Sequence, residues 1–205
     1  MTGLLLLASS LCGMGCANMN FTGISVEGVW GTTSMEADPH DPKSRGGRAD
    51  HVGINFALEL DVGRASGMGM GMGSKTVAFP AADGAEAHEI SGAATHFWIS
   101  SLIDAVEIDW LRPRATVGVE YAGEDDSSFV QAYGGIGASL HPWRGLGLHF
   151  NVGPQYTSAK DRLVHGSGLG AQVRVRLVQM FFPSCDTPWN LFQDADGRIA
   201  DDLCD

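Results

Sequence analysis

Basic side chains are scarce in this sequence, which has 13 Lys and Arg against 24 Asp and Glu. A net charge of -11 leaves no basic stripe to meet phosphates, and nucleic acid is excluded as a partner on that ground. Charged residues of both signs are held to 18%, and no long helix-forming segment competes for the fold. The apolar run at residues 4–8 is too short to cross a bilayer as a helix, which takes about 20 residues. Glycine, by contrast, is plentiful, with 28 among 205 residues. That balance suits one domain of moderate size built from many short strands and turns.

The strands declare themselves by alternation. Over residues 146–156, Leu146, Leu148, Phe150, Val152, Pro154 and Tyr156 alternate with Gly147, His149, Asn151, Gly153 and Gln155, one oily face against one small or polar face. That segment is about as long as a tilted membrane-crossing strand, roughly 9–11 residues, and the same design recurs at 52–62, 115–122, 129–141 and 168–182. Extending the spacing backwards gives strand one at 21–31, strand three at 68–79 and strand four at 95–110. Tight turns are expected at 63–67, 111–114 and 142–145, and longer polar loops at 32–50, 80–94, 123–128 and 158–166. Strand four is ambiguous, because Phe97, Ile99 and Ile103 share one parity and Val106, Ile108 and Trp110 the other. A β-bulge near Asp104 reconciles them; a short helix over Ile99, Leu102, Ile103 and Val106 is the alternative. The Met68, Met70, Met72 alternation with glycine also fits a Gly-rich loop.

Alternation alone does not say which face points into a barrel. The glycines at 53, 118, 135, 137, 147, 153 and 170 crowd the polar face, which suits the narrow bore of eight strands. Charges of both signs lie on that face, with Glu59, Asp61 and Glu120 on earlier strands and Arg174 and Arg176 on the last, where a lumen would let them neutralise each other. Aromatic residues gather at strand ends as two girdles would: Trp110, Trp143, Phe181 and Phe182 near one rim, and Trp30, Tyr121, Tyr156 and Phe97 or Trp98 near the other. The expected fold is an all-β, eight-stranded antiparallel up-and-down transmembrane β-barrel over residues 17–182.

On these residues, the stretch 115–182 resembles the small eight-stranded outer membrane proteins typified by the transmembrane domain of outer membrane protein A. Its last strand, 172–182, is similar to that family's aromatic-ended assembly signal, although the family's signal ends the chain and here a tail, 183–205, follows. The resemblance implies a bacterial outer membrane location, outer membrane lipids and the barrel assembly machinery as partners, and a monomer without cofactor.

The flanks carry further expectations. Residues 1–16 resemble a lipoprotein signal segment with Cys16 as the lipidated residue, an ordinary secretory signal being the alternative; Gly13 stands where such signals usually have Leu. Removing the leader would leave Cys185 and Cys204 to pair in an oxidising periplasm or to stay as free thiols. Asp194-Ala195-Asp196-Gly197-Arg198-Ile199 resembles the middle of an EF-hand loop, but Phe192 and Leu203 fall on its first and twelfth ligand positions. A solvated acidic tail without a metal is expected there, with weak calcium binding by Asp194, Asp196, Asp201 and Asp202 as the alternative.

One pair hints at catalysis. His165 and Ser167, one residue apart, are similar to the His-x-Ser of the lipid A 3-O-deacylases, but Gln179 stands where those esterases place a glutamate. No catalytic residue is therefore assigned. The expected role is a structural, adhesion or envelope-maintenance barrel with a lumen filled by side chains. The alternatives are a lipid-acting esterase and a soluble barrel that carries a hydrophobic ligand and turns its oily face inward.

Overall fold

A computed structural model describes residues 19–37, 39–41, 43–44, 46–62, 66–79, 88–103, 111–124, 127–143, 146–161 and 164–180, with backbone alone at 19, 20, 61, 62, 124, 141–143 and 180. Cys16, Cys185, Cys204, the tail, Asp104, Trp110, Phe181 and Phe182 lie outside the described residues, as do the side chains of Asp61 and Trp143. Eight strands follow one another: β1 (Met19–Glu36), β2 (Gly47–Val62), β3 (Ser66–Phe79), β4 (His88–Leu102), β5 (Leu111–Glu124), β6 (Ser127–Trp143), β7 (Leu146–Lys160) and β8 (His165–Met180). Each pairs antiparallel with the next, and β8 closes on β1. The protein is an up-and-down barrel without helices among the described residues.

Pairing fixes the tilt. A path from Val26 through Phe56, Met72, Thr95, Tyr121, Val130, Ser158 and Ser167 returns to β1 at Glu36, ten residues further along. Such a stagger goes with strands inclined by about 35–45° to the barrel axis.

The Met-Gly segment is strand, paired in register on both sides (Met70↔Leu58 and Met70↔Phe97). Ile99 and Leu102 are strand too, opposite Val117 and Arg114, so the helical spacing there is incidental. The expected turn at 111–114 is a correction: these residues open β5, and Pro113 pairs with Ala138. Proline is tolerated because its carbonyl faces the β4 side, accepting from Ile103 N at 2.9 Å, beyond the last β4 rung at Leu102↔Arg114. Its missing N–H thus costs no bond to β6. Pro154 uses a similar gap, since the β6–β7 ladder skips from Tyr133↔Gln155 to Ile136↔Val152.

Strands also run further than the alternation suggests at one rim (the loop rim), where β1 ends at Glu36, β3 at Phe79, β5 at Glu124 and β7 at Lys160; Val62, Leu102 and Trp143 end β2, β4 and β6 at the other (the turn rim). The cause is a change of phase. Through the middle of the barrel the oily residues point out and are exposed, Ile136 by 66% and Met72 by 72%. Near the loop rim the outward residues become Ser34, Arg48, Asp50, Glu89 and Lys160, while Met35, Ala49, Val77, Phe79, Ile90 and Phe129 turn inward and pack together. Glycine permits close approach between strands in the wall: a Cβ on Gly137 would meet the Phe150 carbonyl, and one on Gly153 the Gly134 carbonyl.

Candidate functional site

The centre of the lumen is a packed layer of charge. Glu27 on β1, Lys75 on β3, Glu120 on β5 and Arg174 on β8 point inward because each stands one residue from an outward apolar or small neighbour. Arg174 donates from Nη1 to Glu27 Oε1 at 2.7 Å and from Nη2 to Glu120 Oε2 at 2.9 Å. Lys75 Nζ donates to the same Glu120 oxygen at 2.7 Å and also to Gln131 Oε1. Asn55 Nδ2 reaches both carboxylates, at 3.5 and 3.4 Å. One step towards the turn rim, Arg176 Nη1 donates to Glu59 Oε1 at 3.2 Å, and its Nε lies 3.6 Å from Glu27 Oε2. Three carboxylates thus face three cations within one network, as burial requires.

Aromatic rings cover the cations. The Arg174 guanidinium lies 3.7 Å from the centroid of Tyr133, Arg176 lies 4.2 Å from Trp98, and Lys75 lies 5.0 Å from Phe129. His96 stacks on Trp98 at 4.6 Å and shares a 2.8 Å hydrogen bond between Nε2 and Tyr133 Oη. Towards the loop rim, Gln131 bonds Gln155, whose Nε2 donates to Thr33 Oγ1 at 3.0 Å. Two free spaces beside these layers hold about 10 Å³ each, room for a single water.

Among the residues singled out from sequence, Glu120 meets Arg174, and Glu59 meets Arg176. Four participants were missed. His96 and Trp98 lie on a strand whose phase was ambiguous, Lys75 on one whose Met-Gly start also fits a Gly-rich loop, and Glu27 on a strand placed by spacing alone. Of Phe97 and Trp98, the alternatives for the girdle, Trp98 is 1% exposed inside the barrel, which leaves Phe97 on the outward parity. Glu27 had a usable signal, since Ser25 and Glu27 alternate with Ile24, Val26 and Gly28.

His165 and Ser167 stand at the loop rim. Lys43 and Ser44 meet the start of β8, where His165 N donates to the Lys43 carbonyl at 3.0 Å and Ser44 pairs with His165. Asp41 Oδ2 lies 3.4 Å from His165 Nε2, so the acid beside the histidine comes from this segment. Gln179 lies at the opposite end of β8, paired with Ile24 and Leu146, and cannot reach His165. A second contact, His88 Nε2 to Asp161 Oδ2 at 2.6 Å, joins the starts of β4 and of the 161–164 turn across the mouth, where Val164 is fully buried. Among the described residues no three His, Cys, Asp or Glu side chains stand close enough to hold a metal ion. Comparison with known protein families, curated proteins and solved structures finds no match to this chain.

Proposed function

We propose that this chain is a bacterial outer membrane β-barrel of structural, adhesion or envelope-maintenance type, non-enzymatic, which presents its loop rim outside the bilayer. The observation that carries this reading is the change of phase along the strands. A barrel in water throughout would keep its oily residues inward over its whole height, whereas lipid around the middle and water around the rim favour oily-out below and oily-in above. The oily-out stretch of β6, from Val130 to Leu140, corresponds to a belt roughly 25 Å tall at ~3.3 Å per residue and a tilt of about 40°. That height suits an outer membrane barrel. Trp30, Tyr121 and Tyr156 are each the last outward apolar residue before Thr32, Gly123 and Ser158, which supports an interfacial girdle there.

The packed charge layer argues against a porin, and an outward belt argues against a soluble carrier. Closure leaves β1 and β8 paired with each other, so a monomer satisfies its own wall. Outer membrane lipids and the assembly machinery, with β8 as the recognised strand, are the partners proposed, along with lipidation of Cys16. Carbonate extraction of cells making the protein tests the location. Retention in the membrane pellet is expected, and release into the supernatant would overturn the reading.

The Asp41–His165 contact favours a second reading, a lipid esterase with Ser167 as nucleophile. The non-enzymatic reading expects Ser167→Ala to leave the acylation pattern of lipid A unchanged in mass spectra. A change specific to that variant would establish the enzyme instead.

A further inference from the structure

Buried polar atoms without a hydrogen bond lie on both sides of the charge layer, His51 Nδ1 and Gln172 Nε2 towards the loop rim and those of Asn151 and Arg176 towards the turn rim, but their surroundings differ. Towards the loop rim, Met35, Val77, Phe79, Ile90, Phe129 and Val164 fill the interior and need no hydrogen bonds. Towards the turn rim, Ser100, Thr116, Ser139, Asn151 and Arg176 surround a cavity of about 10 Å³. Here polar atoms lack protein partners. Asn151 is only 7% exposed, yet neither its Oδ1 nor its Nδ2 has a hydrogen bond within the protein, and the same holds for Nε of Arg176, 5% exposed. A buried polar group left dry is costly, so native interiors satisfy such groups with protein or water.

The cavity has the size of one water, and its chemistry suits one. Asn151 offers both a donor and an acceptor, which a water meets and an anion does not. The Glu27 carboxylate lines the same space, 3.6 Å from Arg176 Nε, which further disfavours an anion. Half-buried Arg114 and His149 form the wall on the turn-rim side.

We propose that the turn-rim half of the lumen is a vestibule holding bound water between Asn151 and Arg176, ended by the Glu27–Arg174–Glu120 layer beneath an apolar stopper. The inference rests on the interior of the closed barrel and holds whether or not lipid surrounds the outer face.

Water-to-protein cross-peaks in NMR spectra of the full chain folded in detergent micelles test this, with selective asparagine labelling and Asn151→Leu to identify the side-chain amide. Cross-peaks from water to the Asn151 amide and to Arg176 Nε–H are expected, with none to the methyls of Val164. Their absence at Asn151 would overturn the vestibule, and equal cross-peaks at Val164 would overturn the stopper. Signals that shift and saturate on adding sodium chloride, but not with sodium sulfate at equal ionic strength, would mean a small anion occupies the site and would overturn the assignment to water. Should Asn151→Leu fail to fold, the labelled parent spectrum still decides the outcome.

Discussion

Arg174 is the residue on which the interior turns. It is 2% exposed and joins Glu27 and Glu120 across the lumen. Arg174→Met would leave two buried carboxylates sharing fewer cations, and removing one partner of a buried network typically costs about 3–5 kcal/mol. A correspondingly lower urea midpoint for unfolding from lipid vesicles is the expected outcome. Arg48→Ala, which breaks an exposed pair with Asp50, should change the unfolding free energy by less than about 1 kcal/mol. Equal midpoints for the two variants would contradict the role given to the layer. Which charges point inward was legible for Glu59, Glu120, Arg174 and Arg176, because each alternates with plainly oily neighbours. Which of them touch was not legible, since contact depends on the stagger between strands distant in sequence, and alternation carries no information about stagger.

At the scale of the element, β3 shows both what periodicity reveals and where it fails. Its glycines face inward and its methionines outward, so adjacent positions meet different surroundings. A side chain at Gly69 collides with the Trp98 indole, whereas Met70 is exposed on the outer face. Gly69→Leu is therefore expected to destabilise by about 1–3 kcal/mol through overpacking, and Met70→Leu, an apolar swap on an apolar surface, by less than about 0.5 kcal/mol. Urea titration of both variants checks this, and a Gly69→Leu midpoint equal to that of the parent would contradict the packing. The number and order of strands were legible because the belt imposes a strong period of two. Strand ends were not: above the belt the outward residues turn polar while the inward ones turn oily, and a reader following one oily face sees the pattern stop where the strand continues. The expected turn at 111–114 failed for a different reason. Pro113 reads as a turn residue, but a strand tolerates it where its neighbour's ladder has already ended.

For the whole molecule, the central claim is that one face of the barrel wall meets lipid and the other a packed polar interior. Two of the five tryptophans separate the alternatives. Trp30 is half exposed on the outer face, and Trp98 is buried against His96 and Arg176. The most direct measurement is fluorescence quenching by lipids brominated on their acyl chains, on barrels folded into vesicles that keep either Trp30 or Trp98 as the single tryptophan, the others being replaced by Phe. The account expects strong quenching of Trp30 and little of Trp98. Quenching of Trp98 as strong as that of Trp30, or none at either position, would contradict it.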